Sequence, residues 1–362
     1  MSRGKRSLAS RLTKDLILDE RVKAVLLIGS VARGIDSEDS DLDIAVFTQS
    51  LPTTPITTEV IAGTRVGIES FCTRAFPGGA STPLLHLQDL RDCGRFATGE
   101  VLYSRWPRLQ QVQQAWLKAL LHPQEAAELF TLAVTYLNPQ RVQACSSSPD
   151  RLWMVQGAAA AFATLALSLC PIRFQKPKWV MRDLKAANQT DLLESIAQLF
   201  FAGKVDLVIA QTVLRSTKKA LLAGLQSAGL PPLTVVEDMH NKYPYIYRTF
   251  QDAVSLERDG DFEGCAYTSL YSLRLLNALL QDQAALPRTL TNAQVAKWRH
   301  RALTSVCPPC SLSLQDLENC MQKLRAYGER LEKCYRCKYL EAKNIEIPRQ
   351  RWAVPHPHEE PR

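Results

Sequence analysis

The chain has 362 residues, 46% of them hydrophobic and 22% charged, with a formal net charge of +8. That composition excludes a disordered or collagen-like chain, and the length allows two domains with substantial cores. Ten cysteines behind a start that does not read as an export signal point to reduced thiols in the cytoplasm rather than a disulfide framework.

Met1 to Ile17 carries Arg3, Lys5, Arg6, Arg11 and Lys14 but no sustained apolar run. From Asp15 to about Trp106, short apolar runs are broken by Gly, Ser, Asp and Pro, a texture that predicts alternating helix and strand. Lys23 to Ile28 and Leu42 to Thr48 are strand-like, and Val60 to Cys72 predicts a hairpin turning near Gly63. Beyond Leu109 helical spacing takes over, in Val112 to Leu121, Ala126 to Leu137, Leu152 to Leu169, Leu192 to Phe201, Val205 to Leu225 and Cys265 to Leu280.

The expected architecture is therefore α+β: a mixed sheet with helices over 1–110, an all-helical domain over 111–343, and a Pro-, Arg- and His-rich tail over 344–362 of disordered composition. The most apolar stretch, Leu152 to Phe174, is interrupted by Gln156 and Gly157 and breaks at Cys170-Pro171, so it predicts a buried core helix and no membrane span.

The chemistry concentrates in Leu26-Leu27-Ile28-Gly29-Ser30-Val31-Ala32-Arg33-Gly34, followed by Ser40-Asp41-Leu42-Asp43-Ile44. A strand ending in Gly29-Ser30 and turning into a short helix lets backbone amides approach a phosphate, because Gly has no side chain in the way. Ser30 adds a hydroxyl donor, and Arg33 can neutralise phosphate charge. Strand alternation places Asp41 and Asp43 on one face. Two carboxylates side by side repel unless a cation joins them, and Mg²⁺, which takes oxygen ligands and keeps substrate phosphates in its shell, suits the pair. A third acidic residue is expected on a neighbouring strand, as a ligand or to deprotonate an attacking hydroxyl; Glu69, in the middle of Val66 to Phe71, fits best. Asp36, Glu38 and Asp39 fall in the connecting loop and read as solvated.

Gly29-Ser30, a spacer and Asp41-Leu42-Asp43 together resemble the signature of the polymerase-beta-like nucleotidyltransferase superfamily. Ser40 before the first Asp, and Ile68-Glu69-Ser70, are similar to its aminoglycoside-modifying members. The resemblance covers roughly the first hundred residues. It implies a nucleoside triphosphate held by Gly29, Ser30, Arg33 and Ser40, Mg²⁺ on Asp41, Asp43 and Glu69, and transfer of a nucleoside monophosphate to a hydroxyl acceptor, foremost a small molecule. Related enzymes with a helical second domain contact the triphosphate with a lysine from it, a role that would suit Lys178; an exposed lysine at a helix start is the other reading. The runner-up acceptors are RNA or protein. A non-catalytic, antitoxin-like binding protein of the same fold is the alternative from another class.

Two further patterns lie towards the end of the chain. Fourteen Lys or Arg against eight Asp or Glu between Arg288 and Arg362 make a basic region suited to nucleic acid or to an acidic partner, or simply a solvated helix surface. Cys307-Pro308-Pro309-Cys310 and Cys334-Tyr335-Arg336-Cys337 have zinc-like spacing, but the intervening Leu312 to Lys333 reads as helix. Unless it breaks near Tyr327-Gly328, it would hold the pairs about 30 Å apart, which favours unliganded thiols. His356 and His358 read as solvated, and Tyr243, Tyr245 and Tyr247 as packing residues with base stacking as the alternative. The oligomeric state is not legible.

Overall fold

A computed structural model describes residues 2–36, 40–50, 56–73, 84–145, 148–170, 176–201, 203–229, 244–282, 290–306 and 312–341. The chain divides into two compact units, Met1–Glu125 with Ser168–Gln175, and Ala126–Leu167 with Lys176–Arg362.

The first unit opens with α1 (Ser2–Leu16), then β1 (Val22–Ile28), α2 (Gly29–Arg33), β2 (Leu42–Thr48), β3 (Ile56–Ile61) and β4 (Thr64–Cys72). It continues with β5 (Leu84–Leu85), α3 (Leu87–Ala97), β6 (Glu100–Ser104), α4 (Leu109–Lys118) and β7 (Leu120–Leu121). Five strands form one mixed sheet in the order β3-β4-β2-β1-β6. β1 runs antiparallel to both β2 and β6, while β2 and β4 are parallel.

β1 and β2 are nearly continuous apolar runs because helices cover both faces of the sheet. On one face Val25, Leu27, Leu42, Ile44, Val46 and Val66 pack with Leu8 and Ala9 of α1 and Val31 of α2. On the other, Ala24, Leu26, Ile28, Ala45 and Phe47 pack with Cys93 and Phe96 of α3 and Leu109, Val112 and Trp116 of α4. Phe47 anchors that second layer, its ring 5.4 Å from Phe96 and 6.1 Å from Trp116. Because α4 supplies three side chains to this core, the structural division falls after Glu125 rather than at the expected 110.

The predicted hairpin is present: Ile61 pairs with Thr64 across Ala62-Gly63, both with positive φ (49° and 77°). Two successive left-handed residues give the turn whose twist matches that of the flanking strands.

The second unit is built of helices: α5 (Pro123–Tyr136), α6 (Pro139–Ala144), α7 (Ser148–Leu169), α8 (Val180–Ala186), α9 (Thr190–Phe201), α10 (Leu207–Ser227), α11 (Pro244–Arg258), α12 (Phe262–Gln281), α13 (Asn292–Val306) and α14 (Leu314–Glu341). α7 has the length and hydropathy of a membrane span, but 78% of its apolar window is buried inside the protein, as in a core helix. α14 runs unbroken through Tyr327 and Gly328, held from within its own unit by Tyr335 Oη donating to Leu165 O (3.2 Å) and Tyr327 Oη donating to Gln189 Oε1 (2.7 Å).

Candidate functional site

Register brings the motif together. Ile28, the last residue of β1, pairs with Asp43, and Asp43 pairs with Gly67 of β4. Asp43 therefore stands between two glycines, on the sheet face that α3 and α4 cover. A methyl group on Gly29 would lie 2.6 Å from Asp43 Oδ2, and one on Gly67 3.3 Å from Oδ1. The half-buried carboxylate fits there because neither neighbour has a side chain.

Gly29 has φ +76°, so the chain leaves β1 through a left-handed residue and enters the one-turn helix α2. Gly34, with φ +68°, stops that helix: its N–H donates to Val31 O (3.2 Å) and that of Ile35 to Ser30 O (3.0 Å), a Schellman-type ending. Ser30, Arg33 and Ser40 are half-buried along this segment. Asp41 is exposed just before β2. Asp36 is half-buried rather than solvated, and its Oδ2 is buried with no hydrogen-bond partner among the described residues. Glu38 and Asp39 lie outside the described residues.

Glu69 shares the face of Asp43, since it pairs with Ala45 two positions further along the same parallel register. Its carboxylate is held bidentately by Arg95 of α3, Nη2 donating to Oε1 (2.7 Å) and Nη1 to Oε2 (3.2 Å). With the two side chains 16% and 27% exposed, this is a partly desolvated fork-to-fork pair of the strong kind. Among the described residues, no group of three or more His, Cys, Asp or Glu comes together in a way that could hold a metal ion.

Two cations of α1 brace the same segment. The buried Lys5 Nζ donates to Ser40 O (2.9 Å), the carbonyl just before Asp41, and Arg6 Nη2 donates to Val31 O (3.0 Å) at the end of α2. Arg6 also pairs with Glu100 of β6. The only signal for these residues in the sequence is the basic character of the first helix, and nothing marks Arg95.

Other candidates sit in the helical unit. Lys178, in a 3₁₀ turn (Pro177–Trp179), is half-buried and paired with Asp252 at 2.7 Å. Cys334 and Cys337 are exposed on the continuous α14, while Cys307 and Cys310 lie outside the described residues. Tyr245 is exposed on α11 and Tyr247 half-buried; Tyr243, His356 and His358 lie outside the described residues.

No protein-family model and no curated protein matches the chain. Among solved structures it is similar to a nucleotidyltransferase-like protein from Exiguobacterium sibiricum 255-15, at 10% identity over 91% of each chain with a TM-score of 0.31. A likeness that low does not bear on function.

Proposed function

We propose that the chain is a metal-dependent nucleotidyltransferase that moves a nucleoside monophosphate from a nucleoside triphosphate to a hydroxyl acceptor, a small molecule in the first instance, in the cytoplasm. The observation that supports this most is the packing of Asp43 over the bare Cα of Gly29, which joins the phosphate-type turn to the Asp-x-Asp strand. The donor set fits a hard divalent cation: Asp41 and Asp43 offer carboxylate oxygens of the kind such an ion takes. Those two residues would hold Mg²⁺. When bound, the ion would polarise the α-phosphate and stabilise the departing pyrophosphate.

Gly29, Ser30, Arg33 and Ser40 would receive the phosphates. The acceptor oxygen would bond to the α-phosphorus as the bond to the β-phosphate oxygen breaks, and the hydroxyl proton would pass to a nearby base or to water. Arg95 occupies both oxygens of Glu69, so Glu69 fits an oriented carboxylate near the acceptor better than a ready third ligand. Lys178 falls outside the phosphate-binding set, because Asp252 engages it within the helical unit.

The Glu69–Arg95 pair also favours a second reading, a non-catalytic binding protein of the same fold. One experiment separates the two. Purified protein is incubated with labelled nucleoside triphosphates, Mg²⁺ and a panel of aminoglycosides, RNA and proteins, beside Asp43→Ala. Acceptor labelling by the wild type alone supports the enzyme, and the labelled class names the acceptor. Equal labelling by the variant, or none by either, removes the catalytic assignment.

A further inference from the structure

The helical unit holds a cavity of about 450 Å³ between α10 and α13. It exists because the two helices pack very closely on one side of it. Trp298 of α13 donates its indole N–H to Ala220 O of α10 (2.9 Å), and Gly224 permits the approach, since a methyl group there would lie 2.7 Å from Trp298 Nε1. Beside this contact the walls are small residues, Ala220 and Ala223 against Ala302, which leave room for a ligand.

The chemistry of the rim is one-sided. Lys219 projects from α10, and Lys297 and Arg301, one helical turn apart, project from α13. Among the described residues, no Asp or Glu lines the cavity. None of the three cations is in an ion pair among the described residues, whereas Arg299, on the same helix α13, pairs with Asp150. The Gln294 amide adds neutral N–H donors at the same rim, while the Ser227 and Ser305 hydroxyls already donate to Ala223 O and Ala302 O.

From this arrangement we propose that the α10–α13 cavity binds a small molecule carrying several negative charges on phosphate groups. The volume is that of a small-molecule site. Arg301 supplies the planar fork that matches phosphate oxygens, and the two lysines supply mobile point charges. Recognition of bases is not built in, because Trp298 is only 7% exposed and its N–H is already used; the ligand is held by its charge and size. This site rests on no part of the assignment made for Asp41 and Asp43.

The test is calorimetric titration of the full chain with inorganic triphosphate in chelator, so that no divalent cation contributes. Wild type is compared with Lys297→Gln/Arg301→Gln, with Ala223→Met and with Lys333→Gln, each checked for native circular dichroism. We expect saturable one-site binding that weakens about tenfold or more when the two charges are removed, the loss of charge-assisted hydrogen bonds. Ala223→Met, which fills the cavity at an exposed position without changing charge, weakens it as well, and Lys333→Gln, an exposed charge on α14 outside the cavity lining, leaves it unchanged. Absence of saturable binding, equal affinity in the double variant, or insensitivity to the cavity-filling change overturns the proposal. So does preference for citrate over triphosphate, or tighter binding of a short RNA with a steeper salt dependence.

Discussion

Gly29 meets two separate demands, and each predicts the same outcome for Gly29→Ala. Its φ of +76° costs an L-residue roughly 1–2 kcal/mol, and the added methyl group would meet Asp43 Oδ2 at 2.6 Å, so the carboxylate must turn away. The variant should lose about 2 kcal/mol in urea unfolding, and nucleotide labelling should fall by about tenfold or more; unchanged stability would mean that the turn relaxes without strain. At this scale the sequence was informative where spacing carries the chemistry. Gly29, Ser30, Asp41 and Asp43 form a pattern along the chain, and strand pairing brings the Gly29 turn against Asp43. Glu69 was legible as a carboxylate on that face, but its Arg95 partner was not. That contact joins β4 to α3 across 26 residues of sequence, and no local pattern encodes it.

Among the elements, the β3–β4 hairpin and α1 each carry a prediction. Ala62 occupies the first left-handed position of the two-residue turn with φ 49°, where Asn is favoured over Ala. Ala62→Asn should stabilise the sheet unit by about 0.5–1 kcal/mol, read as a higher urea midpoint. A lower midpoint would show that the turn is not under left-handed strain. α1 acts on the site through Lys5, buried with its ammonium on Ser40 O at 2.9 Å. Lys5→Met keeps an apolar stem and deletes the charge, so stability should change by no more than about 1 kcal/mol, while the Asp41 segment loses its brace. The expected signature is a weaker apparent affinity for Mg²⁺–nucleotide with a smaller change in maximal labelling rate; equal kinetics would reduce Lys5 to a packing residue. The long helices were legible because their apolar residues continue over many turns, as a nearly unbroken run in α7 and at helical spacing in α12. β6 was not, being a five-residue edge strand whose Glu100 and Val101 are exposed.

At the scale of the whole molecule, the order of a mixed sheet followed by helices was legible, but the division between the units was not. Helical periodicity begins at α4, yet Leu109, Val112 and Trp116 face the sheet, and periodicity reports a helix without saying which core it serves. The helical unit also buries acidic groups that become ionised only at high pH. Burial pushes the Cys265 thiol up to about 12, and burial likewise lifts Tyr267 and Tyr339 above the usual phenol range. In the unfolded chain the thiol loses its proton near its ordinary value of 9.0, whereas in the fold it keeps it. Between those values the native state binds more protons than the unfolded state, so stability is fully present below pH 9 and falls as pH rises, by about 1.4 kcal/mol per unit for each such group. Urea unfolding of the helical unit under reducing conditions should therefore weaken steeply above pH 9, and Cys265→Ala should flatten that slope by about one group's share. Parallel pH profiles for wild type and variant would show that Cys265 exchanges its proton without the unit opening. Because the thiol is protonated and fully buried, it should also resist alkylation at pH 8 until the unit unfolds, so the rate of thiol modification gives an independent measure of the same opening.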